Sequence, residues 1–172
     1  MVLTEITIGP VRPEEHRPLG ELTVRVYRQV LASDLEGYAG VLRDVDDRLA
    51  AGCEVLVARR GDQVVGGVTY VPRPGPYAQL ITDDEAELRM LVVDPDAQGR
   101  GAGAALVQAC VALARAAGKR NLVLGTMPAM VAAQRLYTRL GFVRTPERDE
   151  QLDSGPCLVS YVKALARPGA TG

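Results

Sequence analysis

The segment AELRMLVVDPDAQGRGAGAALVQACVALARAA, residues 86–117, constrains the chain most. Its apolar opening reads as a strand, Asp94-Pro95 stops that strand, Gly99, Gly101 and Gly103 form a turn, and an amphipathic, alanine-rich helix follows. Glycines remove side chains and free the backbone, so successive N–H groups can converge on an anion at the helix N-terminus. The unpaired donors there and the helix dipole both favour negative charge. A sheet layer joined to a helix layer through a phosphate-holding turn is therefore the frame that the other residues must complete.

The flanking sequence supplies such layers. Residues 4–8 alternate polar and apolar, end at Gly9-Pro10, and read as a short first strand. Pro13-Glu14-Glu15 opens a helix whose apolar positions Leu19, Leu22, Val26 and Val30 recur at three and four residues. A second helix is expected over about 35–50, with Leu42, Val45 and Leu49 inward and Gly52 as its stop. Residues 53–59 and 63–71 are apolar and β-branched about a Gly61-Asp62 turn, the pattern of a β-hairpin. Prolines 72, 74 and 76 remove ladder donors, so a long loop precedes the central unit, and long loops in compact domains are often functional. Beyond Gly118, residues 121–126 (NLVLGT) read as a buried strand. Residues 130–140 read as a helix with Ala133, Leu136, Tyr137 and Leu140 on one face and Gly141 as its cap, followed by strands at 142–145 and 157–165. With no internal repeat or linker, residues 1–165 are expected to form one domain and 166–172 a flexible tail.

Three ligand readings compete for the glycine turn. A Walker phosphate loop requires Lys-Ser/Thr after its last glycine; Ala104-Ala105 stand there, which excludes it. The string from Gly99 to Ala104 fits the loose G-x-G-x-x-G/A dinucleotide pattern, but residues 94–98 separate strand from glycines, and the strand at 121–126 carries no ribose-binding acid. The third reading rests on two motifs. Gln98-x-x-Gly101-x-Gly103 after AELRMLVV resembles the Q/R-x-x-G-x-G/A signature of the GNAT superfamily of N-acetyltransferases. Residues 133–142, AQRLYTRLGF, resemble that family's second motif, in the family's order and with a strand between the two. One departure is clear: the second motif commonly carries an Asn seven residues before its tyrosine, where this chain has Met130.

The resemblance implies an α/β (α+β) fold with a mixed, largely antiparallel central sheet of about six to seven strands, helices on both faces, and the strands at 87–93 and 121–126 splayed to admit a cofactor. It implies transfer of an acetyl group from acetyl-CoA to a primary amine by direct attack in a ternary complex. A catalytically silent acyl-CoA-binding module is the alternative. The backbone of Leu91, Val92 and Val93 would run along the pantetheine arm, a strand N–H would polarise the thioester carbonyl, and Gln98, Gly99, Gly101, Ala102, Gly103 and Ala104 would hold the pyrophosphate. Arg100 either meets a phosphate there or sits in solvent.

Tyr137 and Glu87 are the candidate catalytic residues. A thiolate leaving group has a conjugate acid near ~8.5 and a phenol titrates near ~10, so protonation by tyrosine requires assistance from geometry and hydrogen bonding. By resemblance Tyr137 supplies that proton, although its spacing from Ala133 equally suits a core aromatic. Glu87, in an Ala-Glu-aliphatic context, is in some branches of the family the base that takes the amine's proton directly or through water. Glu85 shares its strand face, and a solvated strand end is the other reading. Asp83, Asp84, Glu85 and Glu87 either draw a cationic amine to the acceptor mouth or form a solvated turn. The acceptor pocket is expected from the first two helices, the 72–85 loop and the segment 146–156, which leaves a small molecule, an antibiotic amine, a polyamine and a protein all open.

Composition narrows the partners. A formal net charge of -1 offers no field for nucleic acid and no polybasic arm for a membrane. Cys53, Cys110 and Cys157 form no C-x-x-C pair and are expected to be reduced thiols of a cytoplasmic protein. The N-terminus lacks a basic segment followed by an apolar run, so no signal peptide is expected, and Gln108 and Arg115 interrupt the alanine-rich stretch short of a membrane span. His16, the one histidine, has no Cys or acid at metal-ligand spacing, so neither a metal site nor a Ser-His-Asp apparatus is expected. No cysteine or serine stands in an activated context, so no acyl-enzyme is expected either. A homodimer is an expectation at the family level alone.

Overall fold

The computed structural model describes residues 5–31, 37–152 and 157–166. Thr4, the start of the expected second helix at 35–36, residues 153–156 and the tail from 167 to 172 lie outside the described residues. The strands are β1 Ile6–Pro10, β2 Glu54–Arg60, β3 Gln63–Val71, β4 Glu85–Val93, β5 Asn121–Thr126, β6 Val143–Arg144, β7 Glu150–Gln151 and β8 Cys157–Ala164. The helices are α1 His16–Val30, α2 Ala39–Arg43, α3 Val45–Ala50, α4 Ala102–Ala116 and α5 Val131–Arg139.

The strands form one sheet in the order β1-β2-β3-β4-β5-β8-β6, with β7 pairing β8 alongside. Every pairing is antiparallel except β4 with β5. This is the expected mixed, largely antiparallel sheet, and the two-residue β7 is the strand beyond those read from the sequence. Helices cover both faces. On one, α4 lays Leu106, Val107 and Cys110 against Ala86, Leu88 and Leu122, and α5 adds Tyr137. On the other, α1 supplies Leu19, Leu22 and Val24, joined by Leu42 of α2 and Val45 of α3.

Two sequence expectations change. β1 runs through Gly9 and Pro10 rather than ending before them; it is an edge strand, where a missing N–H costs no ladder bond. The single helix over 35–50 is two, because Asp44 (φ −88°, ψ 80°) leaves the helical region and accepts a hydrogen bond from the Asp47 N–H, capping α3. The break also rotates α3: Leu42 and Val45 are buried as expected, but Arg48 (1% exposed) takes the inner position and Leu49 (36%) faces out. Gly52, at φ +88°, ends α3 as expected.

Candidate active site

The splay expected between β4 and β5 arises from a short parallel ladder and a bulge. Pairing covers Glu85↔Asn121 to Leu88↔Leu124 and stops, although β4 continues to Val93. Along the other edge of β4, Thr69 faces Arg89 and Gly67 faces Val92, so Met90 and Leu91 together oppose Val68. That is a β-bulge, and Met90 sits at φ +55°, a left-handed conformation costing a non-glycine residue about 1–2 kcal/mol. The bulge switches the facing of the strand. Ala86 and Leu88 pack toward α4, whereas beyond the bulge Met90 and Val92 pack toward α1, and Leu91 and Val93 toward α4. Backbone groups of residues 89–93 are thereby left without a β5 partner beside a cavity. The sequence did not reveal the bulge, since it depends on the pairing of Val68 across the sheet.

The turn after β4 is held from both ends. Asp94 donates its N–H to the Val65 carbonyl (2.7 Å), and its carboxylate accepts from the Asp96 N–H (3.0 Å) and from Arg25 of α1 (2.8 Å). Ala97 and Ala102 are buried, whereas Gln98, Gly99, Arg100 and Gly101 are exposed between them. Gly99 and Gly101 have φ of +80° and +83°, positions that require glycine. The first intrahelical bond of α4 runs from the Ala105 N–H to the Gly101 carbonyl, so the N–H groups of Ala102, Gly103 and Ala104 are the unpaired donors of its N-terminus. Gly103 packs so closely that an added Cβ would lie 3.2 Å from Leu136 and 3.6 Å from Val93, joining this turn to α5 and to the slot. Arg100 has no ion-pair partner among the described residues.

A cavity of about 430 Å³ opens where β4 and β5 part. Leu88, Leu91, Thr126 and Met127 form its strand side, Met130 and Tyr137 come from the α5 region, and Tyr27, Tyr38, Gln79 and Leu152 close the far side. The far side thus draws on the helices, the loop before β4 and the segment near 146–156, the regions that sequence reasoning singled out. Tyr137 is 5% exposed and packs edge-on against Phe142 (5.9 Å between centroids) and tilted against Tyr161 (6.2 Å). Its hydroxyl has no hydrogen-bond partner among the described residues, and burial raises its pKa above the ordinary phenol value. Tyr137 is therefore a core aromatic that also lines the cavity. Met130, where the family motif commonly has Asn, stands at the N-cap of α5 with its sulfur accepting from the Thr126 hydroxyl at 3.6 Å.

The acidic residues are not where a solvated strand end would put them. Glu85 and Glu87 are each 0% exposed. Burial would push the Glu85 carboxyl upward, but Arg148 grips both oxygens (3.1 and 2.8 Å), Asn121 and Thr82 donate as well, and the net result is a pKa pulled down to about 2. Glu85 is thus held as a carboxylate by Arg148, Asn121 and Thr82. Glu87 accepts at Oε2 from the N–H groups of Gln79 (2.8 Å) and Leu80 (3.4 Å), while Oε1 is buried with no partner among the described residues. Burial raises its pKa. Glu87 lies one layer behind the cavity wall, where Gln79 stands. Asp84 pairs with Arg120 at 3.1 Å, so two of the four acids of the run, Asp84 and Glu85, carry an ion-pair partner.

Other residues singled out from the sequence stand apart from the cavity. His16 does meet an acid, Asp46, at 2.7 Å, an exposed pairing on the α1–α3 side. Cys53 and Cys110 are buried free thiols with raised pKa values, and Cys157 is a half-buried one. Among the described residues no group of three His, Cys, Asp or Glu could hold a metal ion, and no helix is long and apolar enough to cross a membrane.

Comparison with known proteins gives this geometry a family. Mycothiol acetyltransferase of Cellulomonas flavigena is 37% identical over 92 residues, which are 52% of this chain and 26% of that protein. The chain spans about a quarter of the length of the curated relatives it matches. Among solved structures, PaiA N-acetyltransferase from Thermoplasma acidophilum in complex with coenzyme A superposes with a TM-score of 0.72 at 15% identity, covering 94% of this chain and 99% of that one. The structure of yncA from Salmonella typhimurium with its cofactor acetyl-CoA superposes with a TM-score of 0.67 at 20% identity, covering 96% of each chain. At such identities these two likenesses concern the fold. The acetyltransferase (GNAT) family model matches residues 23–142, from within α1 through both motifs to Phe142, and the chain belongs to that family.

Proposed function

We propose that the protein transfers the acetyl group of acetyl-CoA to a primary amine in a ternary complex, with the opening between β4 and β5 as the pantetheine slot and the turn 98–104 as the pyrophosphate grip. The observation that carries this reading is the parting of β4 from β5 at Leu88↔Leu124, which leaves the β5-facing edge of β4 unpaired from Arg89 to Val93, with Leu91 lining a cavity walled by Tyr137. The free N–H groups at the start of α4 and the flanking Arg100 suit a pyrophosphate. A β4 N–H turned by the bulge serves the thioester oxygen as charge develops on it.

Atoms balance as follows. The amine nitrogen bonds to the acetyl carbon, the carbon–sulfur bond breaks, the amine loses one proton and the departing thiolate gains one. Tyr137 donates the proton to sulfur. Its burial keeps the phenol protonated, and the same apolar surroundings make the thiolate a stronger base than it is in water. The amine's proton passes through water to Glu87, whose unpartnered Oε1 and burial-raised pKa suit acceptance.

Calorimetric titration with acetyl-CoA, followed by thiol release over a panel of amines, tests the proposal: saturable binding and amine-dependent release are expected. Tight binding with no release on any amine would instead mean a silent CoA-binding module. The grip has its own test. Gly101→Val forces a β-branched residue to φ +83°, a strain of about 1–2 kcal/mol. Weakening of acetyl-CoA binding by about tenfold is expected by titration; unchanged affinity would remove the turn from the site.

A further inference from the structure

Arg89 is the one charged side chain among the described residues lining the cavity. It is half-buried, and it meets two neutral oxygens, the Tyr77 carbonyl at 2.8 Å and the Tyr38 hydroxyl at 2.7 Å. A guanidinium carries five N–H donors, so most of its hydrogen-bonding capacity is unspent. None of the carboxylates around it forms an ion pair with it among the described residues, although the charge of Arg89 acts on Glu87 through space and Glu87 Oε1 has no partner of its own. Glu87, two residues back on the same strand face, turns Oε2 to the Gln79 and Leu80 N–H groups; Asp47 accepts from the Tyr77 hydroxyl at 2.6 Å; Glu85 belongs to Arg148. Behind this wall Arg48, 1% exposed, donates to the Thr69 hydroxyl and the Leu42 carbonyl and adds a second positive charge without a carboxylate partner among the described residues. A half-buried guanidinium that forms no ion pair keeps donors to offer, and a ligand carboxylate is the group that satisfies them best, through two parallel N–H···O bonds.

We infer that the acceptor is a small amine bearing a carboxylate, in its simplest form an α-amino acid with an uncharged side chain, and that Arg89 holds its carboxylate. This rests on the acetyl-transfer reading given above. The Tyr38 hydroxyl accepts from Arg89, so its own hydrogen is free to reach the same carboxylate. Size agrees with charge: about 430 Å³, shared with the acetyl end of the cofactor, accommodates a molecule of amino-acid dimensions. Leu152 and Leu158 give the rest of the far side an apolar surface, suited to an uncharged side chain. The product is the N-acetyl amino acid, formed with the proton balance already described. In this reading the acceptor end of the cavity favours an anion, so the acids at 83–87 are not what draws the acceptor in.

Thiol release is measured on matched amino acids, their carboxamides and their methyl esters, with kcat/KM expressed per neutral amine. In the wild type the free acids are expected to exceed the carboxamides by about 10- to 100-fold, the range of a charge-assisted pair. Arg89→Gln is expected to bring that ratio close to one, chiefly through KM for the acids, and Arg89→Lys to restore part of it. Tyr38→Phe, which keeps the charge, is expected to lower the ratio a few-fold and decides the matter if Arg89→Gln does not fold. A purely structural Arg89 would lower all amines alike and leave the ratio unchanged, which overturns the proposal, as does a wild type that uses carboxamides or polyamines as well as acids. In both cases thiol release persists, so acetyl transfer stands while the acceptor assignment falls. Failure to bind acetyl-CoA in titration would remove both.

Discussion

Tyr137→Phe is expected to lower kcat by about 10²-fold, the low end of what a positioned proton donor contributes, with acetyl-CoA affinity changed by less than about twofold. The variant isolates one atom. The ring keeps its packing against Phe142 and Tyr161, and the lost hydroxyl has no partner among the described residues, so its removal leaves no buried group newly unsatisfied. Stability should therefore stay within about 0.5 kcal/mol, as for substitutions that disturb neither packing nor a hydrogen bond. Single-turnover thiol release, with a melting curve as control, separates the two readings of this residue. A slow but well-folded enzyme identifies the donor. A wild-type rate would leave Tyr137 as a core aromatic that happens to border the cavity.

Breaking the Glu85–Arg148 pair is expected to produce the largest loss of stability. Arg148→Ala leaves a fully buried carboxylate with Asn121 and Thr82 but without its cation, and such one-sided removal costs about 3 kcal/mol where the arginine itself is partly exposed. The pair joins the turn Pro146–Arg148 to the root of β4, beside the Glu85↔Asn121 pairing that sets the β4–β5 ladder. Its pH dependence has a definite sign. The folded carboxyl titrates at about 2 against an ordinary 4.5, so the unfolded chain takes up the proton first as pH falls. The contribution is complete above pH 4.5 and is lost between there and pH 2. Urea denaturation should show the wild type losing stability across that window and Arg148→Ala losing less. Equal midpoints for the two proteins at pH 7 would contradict the assignment.

What the sequence revealed was local in origin. The strand, Asp-Pro stop, glycine turn and helix around residues 86–117 follow from near-neighbour periodicity and turn chemistry, and the face Ala133-Leu136-Tyr137-Leu140 follows from helical spacing. What it concealed depended on distant partners. The acids at the start of β4 stay open between a base and a solvated strand end because Arg148, which pairs with Glu85, lies 63 residues further along the chain. The bulge at Met90 exists only in register with β3. The sequence does not single out Arg89, because its place depends on Tyr38 and Tyr77, to which it donates. The break at Asp44 did have a local signal, an Asp able to cap the Asp47 N–H, which the apolar spacing of Leu42, Val45 and Leu49 masked.

The most direct measurement is a mass balance on one reaction: the purified protein with acetyl-CoA and a neutral-side-chain amino acid, with free thiol and acetylated amine quantified together. Thiol and N-acetyl product rising in a one-to-one ratio, both abolished by omitting the amine, is the expected result. Thiol released without acetylated amine would contradict acetyl transfer at this site, and bound acetyl-CoA with neither product would contradict the amino-acid acceptor.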